Sequence, residues 1–462
     1  MNLNLIPLEK KVLSTIRKYS MINSGEKILI AFSGGGDSTA LTFVLYKFSS
    51  ILNIKIGLAH LNHLLREEES DLDEKFAKEI AEKLNLKIFT KRVDIKSLKL
   101  NYPKFSIEEI ARIERYKFLN EICDNYGFNK IATGHNADDV IENFFLAILE
   151  GKGISALAGI PAVNNKIIRP LIECYKNELQ YYLNFIKVSP RFDSSNLNTK
   201  IPRNWIRIKL LPFIEENFKP VKNAILNSVS IIQEENNLIE EIVKRLIEKV
   251  SFNNKKFYKI FIPFDIRNLN IAILKRFIRE IFKLNNYRWS YNIITNLACY
   301  IKEGRNNIKL EDITIWNYGK KFFISEGEIK PYFLKLRINE EKVIEDLNLN
   351  VKMVEETDVT EFEPNSIYLN ISKEEVITIR SRLKSDKIML LNTNYYKSLK
   401  ELFIDLKIPE ILRKLIPIVE CRNEVAGVYL NFFPLNLKNR VSEKFKLENR
   451  KEVIKLYFKE IK

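Results

Sequence analysis

Three short polar stretches carry the residue types that could do chemistry in this chain: Ser33-Gly34-Gly35-Gly36-Asp37-Ser38, His60 to Arg66, and Gly134-His135-Asn136-Ala137-Asp138-Asp139. In the first, glycines let the backbone turn with positive φ and leave no Cβ to hold an anion away from successive N–H groups. Ser33 and Ser38 add hydroxyl donors, and a helix beginning near Ser38 adds its positive end, so the stretch suits a phosphate or pyrophosphate. Asp37 is the odd member, because a carboxylate repels phosphate unless a cation lies between them. Mg²⁺ is the simplest such cation. No Lys follows the glycines, which excludes a Walker A loop. A glycine-rich turn without ligand is the plainer alternative.

His135, Asp138, Asp139 and Glu142 share one face if a helix starts near His135. They could hold Mg²⁺ or accept a proton; a capped helix start would explain the aspartates equally well. Arg112, Arg115 and Tyr116 stand on one helical turn, where two guanidiniums could neutralise phosphate, or simply form a solvated face.

The elements that must position these residues alternate. An apolar run from Lys27 ends at Phe32 before the glycines, and Ala40, Leu41, Val44 and Leu45 then recur at helical spacing. Strands are expected over Ile54–Leu61, Leu86–Val93 and Lys130–Thr133, with helices over Ser70–Leu84 and Ser106–Cys123. Strand–helix alternation implies a doubly wound parallel sheet whose ligands gather beyond the carboxyl ends of the strands, where all three polar stretches fall.

Composition sets the outer limits. The 462 residues suffice for two or three domains, and 46% hydrophobic with 29% charged residues is ordinary for a globular protein. A net charge of +16 favours an anionic partner, nucleic acid first. The cysteines Cys123, Cys174, Cys299 and Cys421 are far apart and imply neither a zinc ribbon nor a disulfide framework. Neither a signal peptide nor a bilayer-length apolar run is read, so a cytoplasmic location without membrane association is expected.

The glycine stretch resembles the S-G-G-x-D-S signature of the N-type ATP pyrophosphatases. His60-Leu61-Asn62-His63-x-Leu65-Arg66, Ala111-Arg112-x-x-Arg115-Tyr116, Thr133-Gly134-His135-x-Ala137-Asp138-Asp139 and Ile168-Arg169-Pro170-Leu171 then follow in the order seen in tRNA(Ile)-lysidine synthetases. Asp193-Ser194-Ser195-Asn196 and Arg203-Asn204-x-Ile206-Arg207-x-x-Leu210-Leu211-Pro212 continue the pattern. Further on, Ile379-Arg380-Ser381-Arg382-x-x-Ser385-Asp386-Lys387-Ile388 is similar to the family's C-terminal motif, with Ser385 replacing the usual Gly. Asn136 and Asn143 stand where the family usually has His and Thr.

The resemblance implies an α/β pyrophosphatase domain over residues 1–220, a mostly helical tRNA- or substrate-binding middle domain over 221–345, and a mixed α+β tRNA-docking domain over 346–462. It implies ligation of L-lysine to C2 of the wobble cytidine of tRNA(Ile) with a CAU anticodon, through an adenylated cytidine. ATP would be held by Ser33, Gly34, Gly35, Gly36, Asp37 and Ser38, with the backbone near Ala59 and His60 facing adenine and Asp37 holding Mg²⁺. Catalysis would fall to Asp37, His135, Asp138, Asp139, Arg112 and Arg115. Arg66, Arg203, Arg207, Arg380 and Arg382 would meet tRNA or phosphate. On the polar side of a helix over Asn270–Phe282, Lys275, Arg276 and Arg279 would also face RNA, and a homodimer is left open. The rivals are a tRNA thiolase, for which no cysteine pair is present, an amidating ligase, for which no ammonia-supplying Cys/His arrangement is apparent, and an ATP-sensing RNA-binding protein.

Overall fold

The computed structural model describes residues 5–65, 67–103, 105–191, 198–255, 257–327, 330–447 and 452–461, in two compact units, Met1–Leu238 and Ile239–Lys462. The first runs α1 Pro7–Lys18, β1 Lys27–Ala31, α2 Gly36–Phe48, β2 Lys55–Asn62, α3 Glu67–Lys83, β3 Lys87–Arg92, α4 Ile95–Leu98, α5 Ile107–Tyr126, β4 Lys130–Ala132 and α6 Ala137–Leu149. It continues through α7 Ile154–Leu157, β5 Val163–Asn164, β6 Ile167–Ile168, α8 Lys176–Phe185, α9 Pro202–Trp205, a π-helical turn Ile206–Leu210, α10 Leu211–Asn217 and α11 Val221–Ile247.

The sheet order is β3-β2-β1-β4-β6-β5, parallel except for the edge strand β5. From β1 the chain first builds outward through β2 and β3, then returns to place β4 on the other side of β1. That reversal opens a crevice at the carboxyl ends of β1 and β4, where the expected polar stretches lie. Ile28, Leu29 and Ile30 are fully buried, and helices cover both faces.

Local signals set the helix ends. Ser106 and Glu109 cap the start of α5 reciprocally, and Gly127, at φ +68°, closes it. Asn136 and Asp139 make the same reciprocal pair at α6, so the asparagine standing where the family usually has His serves as a cap.

The expected division at 220/221 coincides with the start of α11, whereas the first compact unit extends to Leu238; the expected division at 345/346 lies inside the second unit. After α11 come the expected helix, at Ile271–Leu284, and a further one at Tyr291–Lys302, together with a five-stranded antiparallel sheet. Its strands, at Ser251–Lys255, Tyr258–Ile262, Asn307–Lys309, Ile313–Tyr318 and Lys321–Glu326, give this part of the chain more sheet than a mostly helical domain implies. Trp316 and Phe323 from this sheet, with Phe257 from the turn before Tyr258, share one buried cluster with Ile379, Phe403, Leu430 and Phe458 near the C-terminus. Lys275, Arg276 and Arg279 are half-buried.

The structure corrects one assignment here. Arg380, expected at a phosphate, is buried: its guanidinium donates to both Asp386 oxygens at 2.8 and 2.9 Å and to Glu420 at 2.7 Å. Asp386 in turn accepts the N–H of Leu383 at 2.7 Å, so the R-x-R-x-x-S-D motif closes on itself. Arg382 remains half-buried. Removing the guanidinium would strand two carboxylates, so Arg380→Ala is expected to cost about 3 kcal/mol. Equilibrium urea unfolding checks this; an unchanged midpoint would show the cluster contributes nothing.

Candidate active site

The loop after β1 is braced from within. Ser33 N–H donates to Ser38 Oγ at 3.2 Å, the two hydroxyls lie 3.0 Å apart, and Ser38 Oγ donates to the Gly35 carbonyl at 3.0 Å. Ser38 is buried, so its hydroxyl shapes the loop instead of serving a phosphate, a correction to its expected role. Gly34 takes φ +86°, and α2 begins at Gly36 with no side chain capping it. The first N–H groups of α2 therefore have no capping side chain and suit an anion.

The β4–α6 loop lies directly against this turn. A Cβ on Gly134 would stand 3.0 Å from Ser38 N and 3.1 Å from Asp37 C, backbone atoms that cannot swing aside. Only glycine permits the approach that sets His135 and Asp139 beside Asp37.

Four guanidiniums gather around His135, namely those of Arg169, Arg203, Arg112 and Arg115. Burial first, and then those positive charges, pull its pKa down to about 3, so the imidazole is neutral at physiological pH. Its Nδ1 lies 2.9 Å from Thr133 Oγ1. Arg115 reaches His63 Nε2 at 3.3 Å. Arg169, which carried no assigned role, is buried and donates to the Pro161 carbonyl at 2.6 Å, while its Nε has no partner. Its place in the Ile168-Arg169-Pro170-Leu171 motif was the available signal.

The carboxylates hold the remaining cations. Asp139 accepts Arg203 at 2.8 Å, and the fully buried Glu142 accepts Arg203 at 2.7 Å and Arg207 at 2.6 and 3.0 Å. Arg203 and Arg207 are thus anchored at the site rather than extended alone toward a ligand. Asp138 accepts the Lys176 N–H at 2.7 Å and pairs with Lys222 Nζ at 3.0 Å. Burial opposes the charge on Lys222, yet its bonds to Asp138 and Glu215 keep its pKa above the ordinary value.

Asp37 accepts no hydrogen bond from any described residue. Burial, opposed by Lys176 and then reinforced by Asp139, pushes its pKa up to about 6. An unpaired, half-buried carboxylate beside an anion-binding turn fits a divalent cation. No cluster of three or more metal-ligating side chains occurs among the described residues.

Two expected adenine contacts resolve differently. Ala59 is buried within the sheet, and its carbonyl accepts the Phe32 N–H at 2.9 Å, so its backbone is not presented to a base. His60 donates from Nδ1 to the Phe32 carbonyl at 3.0 Å, leaving Nε2 buried without a partner, and burial lowers its pKa. Arg66 and the Asp193-Ser194-Ser195-Asn196 stretch lie outside the described residues.

Two outcomes follow from this geometry. Gly134→Ala should retain the fold but lower pyrophosphate release by about 10²-fold, as displacement of reacting groups does; unchanged release would dismiss the close approach. Folded Asp37 keeps its proton to about pH 6 while the unfolded chain loses it near 3.8, so ionisation costs stability as pH rises through that window. In Mg²⁺-free buffer Asp37→Asn should be more stable by about 1–2 kcal/mol at pH 8, with the gain fading toward pH 4. Thermal melts across pH check this, and a pH-independent difference would contradict it.

A PP-loop domain model matches residues 7–214, and a model described as the TilS substrate C-terminal domain matches residues 377–432. The tRNA(Ile)-lysidine synthase of Clostridium perfringens is 33% identical over 98% of this chain and 99% of its own. That of Persephonella marina is 34% identical over 96% of this chain and 99% of its own, and that of Clostridium acetobutylicum 32% over 96% and 97%. With the nucleotide loop, the arginine-ringed histidine and the paired aspartates assembled at one crevice, and relatives matching end to end, the chain belongs to the tRNA(Ile)-lysidine synthase family.

Proposed function

We propose that this chain uses ATP to join L-lysine to C2 of the wobble cytidine of tRNA(Ile) with a CAU anticodon, converting AUG recognition to AUA. The supporting observation is the abutment of the β1 loop and the start of α6 at Gly134, which puts a phosphate-binding turn beside neutral His135 and its guanidiniums.

Cytosine O2 is a poor leaving group. Its attack on the α-phosphorus of ATP expels pyrophosphate and makes AMP the leaving group. Gly34, Gly35 and Gly36 cradle the departing pyrophosphate, and Ser33, exposed on the loop, adds a hydroxyl. Asp37 would hold Mg²⁺, which when bound offsets the negative charge of the phosphates.

Lysine then attacks C2 through its ε-amine, AMP departs, and the amine must give up a proton. With an unperturbed pKa near 10.4, only about one lysine in a thousand is already neutral at pH 7. His135 and Asp139 stand where that proton could be received. Arg112, Arg115 and Arg203 steady the phosphate oxygens. As those oxygens offset the guanidiniums, the charges that depress His135 are screened and the imidazole becomes a better acceptor. The target base lies in a single-stranded loop and can be splayed into the crevice without breaking a duplex pair.

Purified protein with ATP, Mg²⁺, labelled lysine and tRNA(Ile) carrying CAU is expected to incorporate label and release pyrophosphate. Replacing the wobble cytidine should abolish incorporation, and persistence of label would refute the target. Asp37→Ala should lose pyrophosphate release while still binding tRNA; full activity would remove Asp37 from the mechanism.

A further inference from the structure

Next to the reacting groups lies an ion pair with no assigned role. Lys222, in the first turn of α11, places Nζ 3.0 Å from Asp138 Oδ1 and 3.0 Å from Glu215 Oε1. The other Asp138 oxygen accepts the N–H of Lys176, the first residue of α8, at 2.7 Å. One carboxylate and one ammonium therefore tie together the starts of α6, α8 and α11 and, through Glu215, α10. Asp138 directly precedes Asp139 and stands three residues from His135, so its position sets theirs.

We propose that Lys222 and Asp138 form a positioning pair for lysine transfer, Lys222 acting through Asp138 to hold the first turn of α6 in register with the β1 loop. Both Asp138 oxygens are engaged with protein donors, which makes this carboxylate an anchor and leaves receipt of the amine proton to its neighbours. The inference rests on the ligation proposed above.

A cavity of about 370 Å³, lined by Tyr175, Asn177, Glu215, Phe218, Lys222 and Asn223, adjoins the ammonium. It supplies a test that a purely structural role would not pass. Lys222→Ala should lower kcat for lysine incorporation by about 10- to 100-fold, the scale of a misplaced reacting group, with KM for ATP changed less than about twofold. Lys222→Arg should restore most of the rate. Tens of millimolar n-propylammonium chloride should raise incorporation by Lys222→Ala several-fold. Equal NaCl should not, and the wild type should gain nothing, because a free amine competing as nucleophile could only lower its incorporation.

Asp138→Asn should reduce kcat to a similar extent, add little to Lys222→Ala in the double variant, and keep the acid limb of the pH–rate profile. Loss of that limb would make Asp138 the proton acceptor and overturn the proposal. Wild-type rate in Lys222→Ala, or a folded Lys222→Ala that propylammonium leaves unchanged, would overturn it too. Should Lys222→Ala fail to fold, Lys222→Met keeps the alkyl chain and carries the same expected kcat loss; failure of both to fold overturns the positioning role. Absence of lysine incorporation by the wild type would instead refute the underlying ligation.

Discussion

Gly134 lies so near the backbone of Asp37 and Ser38 that a single added carbon would sit 3.0 Å from an amide nitrogen. That contact joins loops from two neighbouring strands, one carrying the anion-binding turn and the other carrying His135, Asp138 and Asp139. Strand order makes the contact possible, because β1 and β4 are adjacent although two strands, β2 and β3, come between them along the chain. The absence of a side chain at one residue then decides whether the two groups act as one site.

Charge is organised around the same point. Glu142 is fully buried, which would be costly for an isolated carboxylate, and two guanidiniums offset it. The arrangement works in both directions, since the buried carboxylate also fixes the Arg203 and Arg207 side chains beside α6. Burial, reinforced by Arg169, Arg203, Arg112 and Arg115, keeps His135 neutral. Of the carboxylates Asp37, Asp138, Asp139 and Glu142 at this point, Asp37 accepts no hydrogen bond from a described residue.

In the second unit the same chemistry is spent differently. Arg380, Asp386 and Glu420 lie in a largely buried network that fixes a turn between strands. Its spacing resembles a binding motif, but hydrogen bonding consumes its donors internally. Local spacing alone does not distinguish a guanidinium aimed at a ligand from one aimed at the next turn of its own chain.

The order of strands and helices around β1 to β4, the glycine turn and the capped start of α6 were legible in the sequence, because each depends on contacts within a few residues: apolar periodicity, φ freedom and side-chain caps. The linked series of motifs also pointed to one shared site. Tertiary structure alone decided that Ser38 braces the loop, that Ala59 is enclosed by the sheet, that Arg380 is buried, and that Lys222 meets Asp138 across 84 positions. The strands between Asn307 and Glu326 pair as hairpins with their neighbours in the chain, and apolar runs that short do not reveal such pairing by periodicity. Burial arises from segments distant in the chain, and a polar side chain's partner is chosen by what packs beside it, whether three positions away, as for Ser38 and Gly35, or 84, as for Lys222 and Asp138.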